Sequence, residues 1–328
     1  MSKYVPDISS RRWVIIAEGR TARPDEHIHT DYCNLCPFCP GNERISPGEV
    51  YRVGDGEADA TGWKVRVIPN KFPITDNHEV IIHSPSETDI YKLDKSQIVK
   101  VFQAYRQRFN FYREKGQVLI FCNRGEHAGA SIRHPHSQLV VVPKQIHMDT
   151  LQREPLKNIV EENNFFNIYC PDFSQWPYEV WLAPKAEDTM FGDIKDEEIV
   201  DLVDIFVNIM NKLEKLHETK SNTRQEFSYN FFIHPKKNWY LRIIPRFVYR
   251  AGFELGTGLS VNVTDPSKAS EELWDGAKRV TFNPPIRRAG AKRKTQNDES
   301  EKIIEKKVDE VAELKSKLEK LGGLNLKI

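Results

Sequence analysis

The chain reads QVLIFCNRGEHAGASIRHPHSQLVVVP from Gln117 to Pro143. Two apolar runs rich in β-branched residues flank a loop with two glycines, which predicts a strand, a loop and a second strand. We expect the strands to cover Gln117 to Asn123 and Ser137 to Val142. Pro143 should end the second strand, because proline has no N–H to donate to a sheet ladder.

The residues before this stretch predict two further strands and a helix. The strands are Trp63 to Pro69 and His78 to His83, and both carry β-branched residues. The helix has its start signal at Leu93 to Ser96. Apolar side chains then recur at helical spacing, at Ile98, Val101, Phe102, Tyr105 and Phe109.

The second half of the chain repeats this order of elements. A strand at Glu179 to Pro184 precedes a helix that starts near Asp196, and strands at Phe227 to His234 and Trp239 to Ile244 follow, ended by Pro245. We interpret the repeat as a duplicated unit. The predicted fold class is α+β, with antiparallel sheets that carry helices on one face and that pair or pack together. Chance similarity between two amphipathic helices is the alternative.

The last part of the chain differs in composition. Residues Arg287 to Lys294 form a basic linker, and Glu299 to Leu321 predict a charged helix whose apolar residues lie close to a heptad seam. That helix either packs on its own domain or pairs with a partner. The predicted organisation is a catalytic unit over 1–150, a non-catalytic repeat over 151–285, and a linker with the charged helix over 286–328.

Composition limits the classes of function. The chain has 328 residues, 39% of them hydrophobic and 29% charged, with 48 basic and 47 acidic side chains. Charges that nearly cancel argue against nucleic acid or an anionic membrane as the main partner. We identify no leader peptide and no apolar stretch long enough to span a bilayer. The expected location is cytoplasmic.

The loop between the two central strands has the composition of an anion site. Gly125 and Gly129 allow the backbone conformations that turn amide groups toward a phosphate. Ser131 and Arg133 add polar donors beside them.

Two histidines and a glutamine follow the loop. Alternate residues of a strand share a face, so we expect His134, His136 and Gln138 to project to the same side of the sheet. An imidazole attacks phosphorus well and leaves well, which suits a covalent nucleotidyl intermediate on a histidine. Gln138 is placed to hydrogen-bond a non-bridging oxygen. The alternative is a pair of solvent-facing histidines on an edge strand.

The segment Cys36-Pro37-Phe38-Cys39 has the spacing of half a tetrahedral zinc site. The candidates for the remaining ligands are His134, His83 and Glu87. An iron–sulfur cluster that uses the additional Cys33 would need Cys122 or Cys170 as its fourth ligand. Zinc is favoured over that cluster, and buried thiols without a metal are the third interpretation.

Three other segments contain candidate binding residues. Arg20 and Arg23 are able to clamp a phosphate. Asn70 to Pro73 offers an amide and an aromatic ring for a nucleobase. Glu254, in a Gly-rich segment, is able to accept hydrogen bonds from sugar hydroxyls. Surface arginines, an ordinary turn and a loop without a role are the corresponding alternatives.

Taken together, these motifs resemble the galactose-1-phosphate uridylyltransferase family, a branch of the histidine-triad superfamily built from two such units. The resemblance runs from about Arg11 to about Trp274. It is carried by Arg20 to Pro24, Cys36 to Glu43, Asn70 to Pro73, Asn123 to Gln138 and Ala251 to Gly258.

The resemblance implies a ping-pong reaction. His136 would attack the α-phosphorus of UDP-glucose, glucose 1-phosphate would leave, and galactose 1-phosphate would take the uridylyl group. His134 would bind one zinc ion with Cys36 and Cys39, and Gln138 would assist the nucleophile. The positions that match phosphate, nucleotide or sugar contacts of the family are Asn123, Gly129, Ser131, Arg20, Arg23, Asn70, Phe253 and Glu254. Members of the family are often homodimers.

The chain departs from the family pattern at two places. Many members have a histidine as fourth zinc ligand where this chain has Glu87, so Glu87 or His83 would have to replace it. In the second unit, His234 and the segment Trp239 to Arg242 lack paired histidines, so we expect no second metal there.

Other functions remain open at the level of the sequence. Related enzymes with the same motifs are ADP-glucose phosphorylases or adenylyltransferases, and dinucleotide hydrolysis is a further enzymatic alternative. From a different class, the chain is a candidate zinc-bearing scaffold whose C-terminal helix recruits partners.

Overall fold

A computed structural model describes residues 2–7, 12–22, 36–148, 151, 153, 156–220 and 226–274. The predictions for Arg23, Cys33 and the C-terminal helix lie outside these residues. The strands are β1 (Lys3–Pro6), β2 (Trp13–Ile16), β3 (Tyr51–Gly54), β4 (Trp63–Pro69), β5 (His78–Ile82), β6 (Gln117–Arg124), β7 (His136–Val142), β8 (Ile159–Glu162), β9 (Phe166–Tyr169), β10 (Val180–Pro184), β11 (Tyr229–Ile233) and β12 (Leu241–Pro245). The α-helices are α1 (Lys95–Tyr112), α2 (Asp196–Lys220), α3 (Gly252–Thr257) and α4 (Pro266–Leu273).

Ten of these strands form one antiparallel sheet in the order β3-β4-β5-β7-β6-β11-β12-β10-β9-β8. The two halves of the sheet have the same strand arrangement. From the centre outward, one half runs β6-β7-β5-β4-β3 and the other runs β11-β12-β10-β9-β8. The two halves therefore pair edge to edge through β6 and β11. The strand order is compatible with the predicted duplication, which stays a prediction.

The two long helices pack against one face of this sheet. The apolar positions predicted for α1 are buried, and so is the apolar face of α2; the Phe102 and Phe206 rings meet edge to face at 5.6 Å. The sheet presents the alternate residues Val118, Ile120 and Cys122 of β6 to the same core. Burial of these side chains is the main stabilising contribution to the fold.

The opposite face of the sheet holds two smaller apolar clusters. In the first half, Phe38 and Trp63 pack on Ile68 and Val80. In the second half, Trp181 stacks on Tyr240 with ring centroids 3.8 Å apart. Polar side chains lie on this face between the two clusters, as described below.

All the described elements belong to one compact unit that ends at Arg279. The predicted boundary near residue 150 falls between β7 and β8, so both predicted repeats contribute strands to a single sheet. No described helix has the length and apolar character needed to cross a membrane.

A buried ion pair ties α1 to the sheet. Arg108 donates to both carboxylate oxygens of Glu79 on β5, at 2.9 and 2.5 Å, and Tyr112 donates to the same carboxylate at 2.8 Å. Burial favours the neutral arginine, yet this carboxylate raises the pKa of Arg108. The pair fixes the position of the helix on the strand that borders β7.

Removal of one partner should therefore destabilise the protein strongly. We expect Glu79→Gln to lower the free energy of unfolding by about 3–5 kcal/mol, because it leaves the Arg108 charge buried without a counter-ion. The matched control is Asp204→Asn, which breaks an exposed pair with Lys95 and should cost less than about 1 kcal/mol. Urea denaturation measures both. Equal costs for the two variants would contradict the prediction.

Candidate active site

The first residue of β7, His136, is buried, and a backbone contact fixes the tautomer of its ring. Its side chain is 7% exposed, and its Nδ1 lies 2.8 Å from the carbonyl oxygen of His134. A carbonyl only accepts hydrogen bonds, so Nδ1 carries the proton and the neutral ring has its lone pair on Nε2. The backbone thus selects the tautomer in which Nε2 is able to attack phosphorus.

Gln138 lies two residues further along the same face, and His78 fixes its amide. The N–H of Ile74 donates to Nδ1 of His78 at 2.9 Å, so the proton of the neutral His78 ring is on Nε2. That Nε2 lies 3.0 Å from Oε1 of Gln138. The oxygen of Gln138 is therefore directed to His78, and its NH₂ group remains to donate to a ligand.

Asn70 supports the same arrangement. Its Oδ1 accepts from the N–H of Phe72 at 2.8 Å, and its Nδ2 lies 3.5 Å from Oε1 of Gln138. Arg20 donates to the carbonyl of Phe72 at 2.7 Å. These contacts place Arg20 and Asn70 around the turn after β4, at the pocket that contains Gln138.

This pocket has a volume of about 180 Å³. His136, Gln138 and Ser131 line it together with apolar side chains that include Phe38, Ile68, Phe72, Val80 and Ile132. The edge of the Phe38 ring contacts the His136 ring, with centroids 5.1 Å apart. An apolar slot beside a few polar groups is the usual composition of a site for a small molecule.

The Gly-rich loop passes close to Ser228, the residue before β11. A Cβ atom on Gly125 would lie 2.1 Å from Oγ of Ser228, and the φ angle of Gly125 is +83°, so only glycine fits. Gly129 also has a positive φ, +75°. At the start of the loop, Oδ1 of Asn123 accepts from Asn230 at 2.9 Å, which leaves the Asn123 NH₂ group as a donor on the site-bearing face.

A second cluster of polar side chains lies beside His136. Cys36, Cys39, Glu87 and His134 offer ligand atoms that all lie within 4.8 Å of one another. His134 Nε2 bonds the carbonyl of Ser84 at 2.8 Å, so its Nδ1 carries the lone pair and faces Cys39 Sγ at 3.5 Å. A backbone partner of this kind is typical of metal-binding histidines.

The electrostatics of this cluster fit a cation. Burial raises the pKa of the Cys36 thiol and, with the neighbouring Cys36 and Glu87, raises that of Cys39 to about 12. Burial also lowers the pKa of His134, which keeps its ring neutral. Two thiolates beside a carboxylate are unfavourable alone, whereas a divalent cation stabilises them. The donor set therefore suits a single metal ion.

The remaining predicted residues lie elsewhere. His83 is buried on the helical side of the sheet, where its Nε2 lies 2.8 Å from Ser137 Oγ, so Glu87 and not His83 joins the cluster. The buried thiols of Cys122 and Cys170 also lie outside it. Phe253 and Glu254 belong to α3, and neither lines the pocket around His136.

The expectation for His134 needs a correction. His136 and Gln138 share a face of β7, as predicted, but the strand begins at His136. His134 lies in the preceding loop. In that loop, the carbonyl of Pro135 accepts a hydrogen bond from the N–H of His83. Strand alternation therefore does not apply to His134, and its ring turns to the cysteines.

His78 is the residue that the sequence analysis missed. The register of β5 with β7 places His78 opposite Val140 and Val80 opposite Gln138, so all four side chains share a face. The sequence shows only that a polar residue precedes Val80 and Ile82 at an even spacing, which does not identify its partner on β7.

Comparison with known proteins gives consistent matches. The sequence model for the N-terminal domain of galactose-1-phosphate uridyl transferase matches residues 73–143. An ADP-glucose phosphorylase from Arabidopsis thaliana is 26% identical, over 81% of this chain and 91% of that protein. A galactose-1-phosphate uridylyltransferase from Thermotoga maritima is 23% identical, over 80% and 94%. The crystal structure of an ADP-glucose phosphorylase from A. thaliana with bound ADP-glucose has a TM-score of 0.63 and 25% identity, over 83% of this chain and 98% of that chain.

The matched residues 73–143 contain β5, α1, β6, the Gly-rich loop and β7, which together hold His78, His136 and Gln138. The two relatives match over most of their own length. The chain is thus a nucleotidyltransferase that is similar, over most of its length, to members of the galactose-1-phosphate uridylyltransferase family.

Proposed function

We propose that this protein transfers a nucleotidyl group from a nucleotide sugar to a sugar 1-phosphate through a covalent intermediate on His136. The observation that carries the proposal is the hydrogen bond from Nδ1 of His136 to the carbonyl of His134. This bond holds the lone pair of His136 on Nε2. The neighbouring Gln138 directs its oxygen to His78, so its NH₂ group is able to donate to a substrate.

The reaction would proceed in two displacements. Nε2 of His136 attacks the α-phosphorus, a P–N bond forms, and the P–O bond to the leaving sugar 1-phosphate breaks. The acceptor phosphate oxygen then attacks the same phosphorus, and the P–N bond breaks to restore the neutral imidazole. Gln138 and the Asn123 NH₂ group would donate to non-bridging oxygens, on which negative charge increases in each transition state.

The proposed donor is UDP-glucose and the proposed acceptor is galactose 1-phosphate, in line with the family name. ADP-glucose with a phosphate acceptor is the second candidate. It is favoured by the match to the A. thaliana ADP-glucose phosphorylase, which extends over 81% of this chain. Relatives of this kind argue against a scaffold without enzymatic activity. A homodimer and a cytoplasmic location remain expectations.

We further propose that Cys36, Cys39, His134 and Glu87 bind one zinc ion. The ion would supply the positive charge that keeps both thiolates deprotonated, and it would tie the Cys36 to Cys39 turn to the loop before β7. Phe38 lies in that turn and contacts the rings of His134 and His136. The metal would in this way position the nucleophile without contact with the substrate.

The nucleophile is tested by intact-protein mass spectrometry at mildly alkaline pH, after mixing with UDP-glucose or with ADP-glucose. We expect a UMP adduct, lost on addition of galactose 1-phosphate; an AMP adduct instead would assign the adenylyl branch. His136→Asn should form neither adduct, and its turnover should fall by roughly 10⁴-fold or more. Full activity of His136→Asn would overturn the assignment.

The support of Gln138 by His78 is tested with a double-mutant cycle. We expect Gln138→Ala to slow adduct formation about 10²-fold, as for the loss of one transition-state donor. His78→Ala should slow it about 10-fold in the wild-type background and less than about 2-fold in Gln138→Ala, because the two residues act as one unit. Thermal unfolding verifies that each variant is folded. Additive losses would show that His78 acts independently of Gln138.

The metal proposal is tested by elemental analysis of the purified protein. We expect about one zinc per chain, and Glu87→Ala should bind it at least 10-fold more weakly, because a tetrahedral site would lose one of four ligands. His83→Asn is the matched control and should keep the metal. Equal loss of zinc from both variants, or zinc retained by Glu87→Ala and Cys39→Ser, would contradict the assignment.

A further inference from the structure

A second cavity lies on the site-bearing face of the sheet, beyond the Gly-rich loop. It has a volume of about 730 Å³, and nothing described above assigns it a ligand. Glu126, His127, Ala128 and Gly129 of the loop line it, with Asn230, Arg246 and Tyr249 from the second half of the chain.

A row of polar side chains leads from the nucleophile to this cavity. Ser137 pairs with Cys122, so Asn123 follows opposite His136, and Asn230 pairs with Asn123. These three residues lie on neighbouring strands and on one face. Two inter-strand spacings separate the ends of the row, so Asn230 lies about 10 Å from His136.

Arg246 enters the cavity directly after β12. Its Nε donates to the carbonyl of His127 at 3.1 Å, and its guanidinium lies over the Trp176 ring at 4.3 Å. Its two Nη groups donate to no acceptor among the residues that the structure describes. Stacking uses the face of the guanidinium and leaves the in-plane N–H groups able to bind a phosphate or carboxylate.

A second arginine increases the positive potential. Arg250 lies over the same Trp176 ring at 4.8 Å. Burial and the charge of Arg250 both lower the pKa of Arg246. Within the described ranges, neither arginine forms an ion pair with a carboxylate. Glu126, the one acidic residue of the cavity lining, is exposed and forms no salt bridge with Arg246.

Two guanidinium charges, one half-buried and one exposed, share the Trp176 ring, and an anion bound beside them would offset their mutual repulsion. We propose that Arg246, assisted by Arg250, binds an anionic group on the leaving half of the nucleotide donor. The position of that group rests on the proposed function, which places the α-phosphorus at His136. Asn230, at the far end of the row, lies about 10 Å from His136. That distance fits a phosphate further along a polyphosphate chain or a carboxylate on the sugar.

The test compares donors that differ in this charge. Rates of adduct formation on His136 are measured with UDP-glucose against UDP-glucuronate, for a carboxylate, and with ADP-glucose against diadenosine tetraphosphate, for a phosphate. We expect a donor with the additional anionic group to be preferred over its counterpart without that group. Arg246→Gln should reduce kcat/KM for the preferred donor about 10- to 100-fold and change that of the counterpart by less than about 3-fold.

Arg113→Gln, which removes an arginine beyond the end of α1, is the matched control and should change none of these rates. Calorimetric titration with inorganic tripolyphosphate gives a second readout that needs no transfer. Its Kd should rise at least 10-fold in Arg246→Gln, in line with the loss of a charged hydrogen bond.

The outcomes separate the two proposals. Adduct formation that Arg246→Gln leaves unchanged for all donors, or that it lowers equally for all donors, overturns the anion site and leaves the transferase proposal intact. If no donor forms an adduct, the transferase proposal fails. The titration then decides the anion site: a Kd unchanged in Arg246→Gln overturns it, and a raised Kd supports it.

Discussion

The hydrogen bond between Nδ1 of His136 and the carbonyl of His134 is the constraint on which the site depends. His134, whose carbonyl fixes the tautomer of His136, directs its own ring to Cys39 and Glu87. Any displacement of the His134 loop would therefore change both the cluster and the orientation of His136. Through this coupling, a metal bound by the proposed cluster would affect the orientation of His136 without contact with its ring.

The sheet supplies the second constraint. One face of the sheet packs on α1 and α2. Every second residue of β5, β6, β7 and β11 is therefore directed to the opposite face. His78, Gln138, His136, Asn123 and Asn230 lie there because their positions have the same parity along paired strands. The edge-to-edge pairing of β6 with β11 extends this polar row into the second half of the chain. The half of the sheet that lacks His136 thereby contributes Asn230 and Arg246 beside the Gly-rich loop.

Much of this could be predicted from the sequence. The long strands and both long helices have strong apolar periodicity, and β4 was predicted over the residues that it occupies. The short strands β1, β2, β3, β8 and β9 were missed, since four-residue segments carry too little periodicity. The HPHSQ motif revealed His136 and Gln138. The support from His78 could not be predicted, because it depends on the register of β5 with β7, and the position of Glu87 depends on loop geometry.

The most direct test of the central claim is the site of attachment in the nucleotidyl-enzyme. Trapped intermediate, labelled with ¹⁵N in its histidines, is analysed by phosphorus and nitrogen NMR to identify which ring nitrogen carries the phosphorus. We expect the P–N bond at Nε2 of His136, with Nδ1 still protonated and bonded to the His134 carbonyl. Attachment at Nδ1, or at another histidine, would contradict the role assigned to that hydrogen bond.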